Sequence, residues 1–171
     1  MPLDLIALRL AHVIAGVAWV GGAFVMILLV TRTARLRGAD GDAFMTTLLT
    51  QGKAARYFEI AAVTTVLAGG LLYFRASGGF QIEWITSPSG IGFTIGAVAA
   101  IVSLVWGGLA VGPAGKRAAA VQAEVVAAGG VASPAQTAEI DSIRRKLNTF
   151  AMADLALLGT AVVTMATARY W

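Results

Sequence analysis

The only histidine of this chain, His12, lies inside its first apolar stretch, in the run Arg9-Leu10-Ala11-His12-Val13-Ile14-Ala15-Gly16-Val17-Ala18-Trp19-Val20-Gly21-Gly22. An ionisable side chain in hydrocarbon costs on the order of 2–3 kcal/mol even on lenient insertion scales. It is tolerated chiefly when it faces a bundle interior and has a partner. Imidazole is also a frequent axial ligand of haem and a common ligand of copper or zinc. Arg9, His12, Gly16, Trp19, Ala23 and Met26 step by three and four and therefore share one helical face. Gly16, one turn from His12, leaves room for a flat ring to approach the backbone. Arg9, one turn the other way, either snorkels to the interface or pairs a carboxylate such as a propionate. Met165 stands at a depth similar to that of His12, counted back from Tyr170, and is the methionine that could complete a His/Met ligand pair within one chain. A plain packing role for the histidine, bonded to a neighbouring helix, remains open from spacing alone.

These residues need helices to position them. Of the 171 residues, 58% are hydrophobic and only 13% charged, and mean hydropathy is +0.78; a soluble domain carries about a quarter charged residues. The apolar residues come in blocks, at about 5–30, 57–74, 90–112 and 150–168. Each is close to the ~20 residues a helix needs to cross a ~30 Å hydrocarbon core. The expected fold is an all-α, integral membrane four-helix bundle forming a single domain. The first block is too long for a signal-peptide core and reads as a mature helix. With no cysteine, disulfides, iron–sulfur clusters and thiolate metal sites are excluded.

Thirteen Lys and Arg residues are unevenly spread. Arg32, Arg35, Arg37, Lys53 and Arg56 lie between blocks one and two; Lys116, Arg117, Arg144, Arg145 and Lys146 lie between blocks three and four. Only Arg9, Arg75 and Arg169 lie toward the other side. The positive-inside rule makes both long connections cytoplasmic. Both termini and the 75–89 loop then face outward from the inner (plasma) membrane, with Trp84, Tyr170 and Trp171 as an aromatic belt. The pI near 10.0 is thus a topology signal rather than a sign of nucleic-acid binding.

Within the connections, Asp42 is expected to cap a helix running into span 2. Gly112-Pro113 is expected to break or kink span 3, with a surface helix over 114–128 ending at Gly129-Gly130. Ser133-Pro134-Ala135-Gln136 reads as a capping box opening a long helix into span 4. Gly92, Gly96, Ala100, Ser103 and Gly107 make a small-residue stripe suited to close helix packing. Glu59 and Asp154 fall inside the cytoplasmic ends of spans 2 and 4, where Arg56, Arg145 or helix N-terminal amides could hold them. No HExxH helix, phosphate loop, dinucleotide fingerprint or Ser-His-Asp arrangement is present.

The pattern Arg9-x-x-His12, then Trp19 and Gly21-Gly22, resembles the first helix of small haem-binding membrane proteins, namely the integral-membrane protoporphyrinogen oxidase family and copper-resistance-D-like proteins. In the oxidase family the helix reads Lys-x-x-His, then Trp and Gly. The likeness extends to Gly69-Gly70 on span 2 and to Arg145-x-x-Asn148 before span 4. Thr149 stands where the oxidases have glutamate, and span 3 lacks the lysine near its start; both residues are tied to that oxidase activity. The resemblance implies haem b on His12; the shared helical face adds Arg9, Gly16 and Trp19 about the cofactor, and the matched depth adds Met165. A haem site of this kind suits electron transfer, quinone- or tetrapyrrole-linked redox chemistry as an oxidoreductase, or haem sensing. One histidine per chain and the small-residue stripe both suit a homodimer. Copper handling or transport with His12 as metal ligand, and a cofactor-free structural role, are the alternatives.

Overall fold

The computed structural model describes residues 3–171. It is an all-α four-helix membrane bundle: four of its helices are long and apolar enough to span a bilayer. In chain order they are α1 (Leu3–Leu36), α3 (Ala54–Ala76), α5 (Pro88–Ala127) and α6 (Pro134–Tyr170). A helix α2 (Ala39–Thr50) and a single turn α4 (Ile82–Ile85) sit in the connections. At 1.5 Å per residue the 34 residues of α1 and the 40 of α5 reach well beyond a ~30 Å core. The surplus carries the basic residues out of the apolar layer.

The helices pack in two pairs, α1 along α3 and α5 along α6, with α3 also meeting α5. The pairs join in one core of Trp19, Ala23, Ala61, Ala62 and Leu158, flanked by Phe58, Val66, Ala100 and Leu104. Small residues dominate because apolar burial drives little association inside lipid, so helices gain by approaching closely. A Cβ on Gly22 would lie 2.8 Å from the Phe58 ring, and one on Gly92 2.9 Å from Ala168 Cβ. At Gly92, Gly96 and Ser103 the stripe on span 3 meets α6, whereas a Cβ on Gly107 would meet nothing within 4 Å.

The connections depart from expectation in two places. Asp42 does not cap a helix that runs into span 2. It lies in the first turn of α2 and pairs with Arg144 of α6, while α2 ends at Thr50 and Lys53 takes a left-handed conformation (φ 53°) before α3 begins. Gly112-Pro113 does not break span 3. Helix α5 runs through it by widening to a π-helical turn over Gly107–Val111. A proline leaves the carbonyl four residues back without its usual donor, and a wider turn just ahead of it relieves that conflict. The helices that extend beyond the apolar layer are thus α1, α5 and α6, whereas α3 stops near its edge. Trp84 is half-buried, edge-on to Tyr73 at 5.2 Å and stacked on Phe93 at 6.1 Å; Tyr170 and Trp171 are exposed.

The capping box before α6 forms as expected. Ser133 Oγ accepts from Gln136 N at 3.2 Å, and Gln136 Oε1 accepts from Ser133 N at 2.9 Å. Ser133→Ala is expected to cost about 1 kcal/mol, read as faster amide exchange confined to the first turn of α6. Gly129 and Gly130 close α5 with φ of +98° and +84°, a conformation that favours glycine.

The basic residues gather at one end of the bundle, where α6 is tied to its neighbours. Arg35 Nη2 donates to Asn148 Oδ1 at 3.1 Å, Arg144 pairs with Asp42, and Arg117 Nε donates to Glu139 at 2.7 Å. At the opposite end Arg75 of α3 pairs with Asp4 of α1 at 2.6 Å.

Candidate functional site

Helix α1 directs His12 at α3. The ring nitrogen Nδ1 lies 2.9 Å from the main-chain oxygen of Thr65. A carbonyl oxygen only accepts, so Nδ1 carries the proton and donates. That carbonyl is also the one the helix ladder offers to the Gly69 N–H, and Gly69 has no side chain to cover it. A Cβ at position 69 would fall 2.8 Å from both Cε1 and Nδ1 of His12. Glycine is therefore required there for the ring to lie against the α3 backbone. One turn deeper, Gly16 meets Thr65 with 3.6 Å between the site of its absent Cβ and Thr65 Cγ2. Thr65 turns its hydroxyl away from the ring, to Ala61 O at 2.7 Å.

Fixing the proton on Nδ1 fixes the character of the other nitrogen. In the neutral ring Nε2 holds an unshared pair and no hydrogen. This is the arrangement by which a second partner orients a metal-binding imidazole. Among the described residues Nε2 makes no hydrogen bond, and no buried side-chain polar atom lacks one. Nε2 therefore keeps accessible surface.

The other candidate residues are placed as follows. Arg9 is exposed and makes no ion pair among the described residues. Trp19 is 5% exposed and belongs to the core where all four spans meet. It lies within one of two π-helical turns of α1, Val17–Gly21 and Met26–Val30. Met165 lies on the other helix pair, against Gly96 of α5; a Cβ on Gly96 would come within 2.6 Å of its Cγ. The structure thus brings His12 together with Gly16, Thr65 and Gly69, while Met165 takes its contacts from α5. Among the described residues no three His, Cys, Asp or Glu side chains come together as a metal cluster.

The two carboxylates inside the spans differ. Glu59 is exposed on α3. Asp154 is half-buried and its oxygen Oδ1 accepts from Ser103 Oγ of α5; it is not held by Arg56, Arg145 or a helix terminus. Arg145 is exposed, and the side chain that reaches Asn148 is Arg35.

Spacing alone did not single out Thr65, and it left the pairing of Gly69 with His12 unseen. The signal was present in the depths: Gly69 stands seven residues before Ala76, where α3 ends, and His12 nine after Leu3, where α1 begins. Antiparallel neighbours meet at such matched depths. No family model matches this chain, and no curated protein and no solved structure matches it significantly.

Proposed function

We propose that this chain is a haem b-binding integral membrane protein in which His12 Nε2 is an axial ligand. One observation carries the reading: the Thr65 carbonyl holds the proton on His12 Nδ1, so the accessible Nε2 is left as a lone-pair donor inside a membrane span. The donor chemistry fits iron, because a neutral imidazole whose far nitrogen is hydrogen-bonded is both oriented and made more basic as a ligand. Gly69 and Gly16 keep the ring's approach free of side chains, and the exposed Arg9 supplies a guanidinium suited to a propionate. A bound haem supplies one-electron redox chemistry, its potential set by ligation and by the apolar surroundings. With one histidine per chain, the second ligand comes from the His12 of a second copy, as a homodimer. The redox partner is a membrane quinone or a porphyrin. The charge bias supports an inner (plasma) membrane location with both termini on the outer side.

A second reading has its own observation. The His12–Thr65 bond ties α1 to α3, and a cofactor-free bundle could keep the histidine for that tie alone. Interhelical bonds of this kind average about 0.6 kcal/mol in a membrane. Visible spectra of the protein purified in mild detergent, oxidised and dithionite-reduced, separate the two. The haem reading expects a Soret band and a reduced α band of b type. A colourless protein that also takes up no added haemin leaves the tie as the role of His12.

A further inference from the structure

Nine acidic residues are present, and most have an evident partner or open water. Asp4 pairs with Arg75, Asp42 and Asp141 with Arg144, and Glu124 and Glu139 with Arg117; Asp40, Glu59 and Glu83 are exposed. Asp154 alone is half-buried inside a span with no cation in pairing distance among the described residues.

We propose that Asp154, held by Ser103, is a proton-binding site within the membrane. Ser103 is 1% exposed and sits on the face of α5 that packs against α6. Its hydroxyl fixes one carboxyl oxygen, Oδ1. The other, Oδ2, makes no hydrogen bond, yet no buried side-chain oxygen lacks one among the described residues, so Oδ2 keeps accessible surface. One oxygen is therefore anchored and the other is reachable. Such a carboxyl can exchange a proton without losing its place.

The surroundings favour a proton over other cations. The core that holds Leu158, one turn along α6, presents Trp19 from α1, Ala61 and Ala62 from α3, and Ala100 and Leu104 from α5, none of them charged. From α1 the nearest guanidinium contact with α6 is Arg35, nearly two turns away at Asn148. From the same end of α3 come Arg56, Tyr57 and Glu59, all three exposed, and none of them pairs with Asp154 among the described residues. On α6 itself Arg144 is engaged by Asp42 and Asp141, and Arg145 and Lys146 are exposed. Two carboxyl oxygens and one hydroxyl are too few to replace the six or more oxygens a hard cation asks for. In the step itself, a hydronium ion gives its proton to Oδ2. One O–H bond of hydronium breaks, one carboxyl O–H forms, and a water molecule leaves. The uncompensated charge inside the span is removed, which is the direction low polarity favours.

The full chain in lipid nanodiscs is treated with dicyclohexylcarbodiimide, which adds to protonated carboxyls, over about pH 5 to 9, and adducts are placed by peptide mass. The expected result is an adduct on Asp154 whose rate falls about tenfold per pH unit above its midpoint. The pH-difference infrared spectrum should also show a protonated-carboxyl band that D154N removes. Asparagine keeps the size and the bond to Ser103, and the wild-type labelling needs no variant. An Asp154 that takes no adduct, or takes one at a rate independent of pH, with infrared differences equal in wild type and D154N, overturns the proposal.

Discussion

Gly69→Val is expected to remove haem binding as completely as loss of His12 itself, although position 69 offers no ligand. The Cβ alone would stand 2.8 Å from Cε1 and Nδ1 of His12, closer than carbon and nitrogen approach. The ring is the movable party, but moving it breaks the bond to Thr65. Nδ1 then no longer has a fixed partner, and Nε2 no longer has a fixed direction. The overpacking should cost about 1–3 kcal/mol, with about 0.6 kcal/mol more for the lost interhelical bond. Haem per protein, measured as the pyridine haemochrome, should fall to that of His12→Ala. Gly70→Ala is the control: no atom lies within 4 Å of its added carbon, so haem content should not change and stability should not fall, alanine being the better helix former.

The second large effect is expected on the other helix pair. Gly96→Leu sets a branched side chain where a single Cβ would already lie 2.6 Å from Met165 Cγ and 2.8 Å from Thr164 Oγ1. Thr164 is not free to yield, because its hydroxyl bonds back to Thr160 O at 2.8 Å. The seam between α5 and α6 must open. The cost should reach the upper end of the overpacking range, about 3 kcal/mol, read as a lower midpoint of unfolding in mixed micelles. The same variant separates Met165 from His12. The histidine takes its bond from α3, so a spectrum unchanged in Gly96→Leu assigns Met165 to packing. A spectrum that shifts assigns it to the iron.

The four spans, the basic end and the capping box of α6 were legible because each depends on local composition. Apolar length against bilayer thickness settles a span, and Ser133 with Gln136 settles a helix start within four residues. The connections were less legible because tertiary contacts decide them. Asp42 looks like a cap in sequence, but Arg144, 102 residues away, draws it into an ion pair within the first turn of α2. The left-handed Lys53 then separates α2 from α3, and no local rule favours lysine there. Pro113 reads as a break or kink because it removes a donor from a regular α-helix; the π turn before it keeps α5 continuous.

At the site, His12 was legible by type and burial, but its partner is a main-chain oxygen, which no side-chain pattern announces. Gly16 and Gly69 were visible as small residues, and only their placement shows which one the ring needs. Ser103 reads as one of a packing stripe and Asp154 as a carboxylate near a span end; their bond crosses between α5 and α6, 51 residues apart, which no local pattern announces.

Axial ligation by His12 is tested most directly by chemical rescue. His12→Gly is purified in mild detergent, given haemin, and its reduced visible spectrum is recorded without and with added imidazole. The account predicts no b-type α band without imidazole and a band like that of the wild type with it, because the free base supplies the missing Nε2 donor. A His12→Gly protein that keeps the wild-type band unaided would contradict the account, since another side chain would then hold the iron.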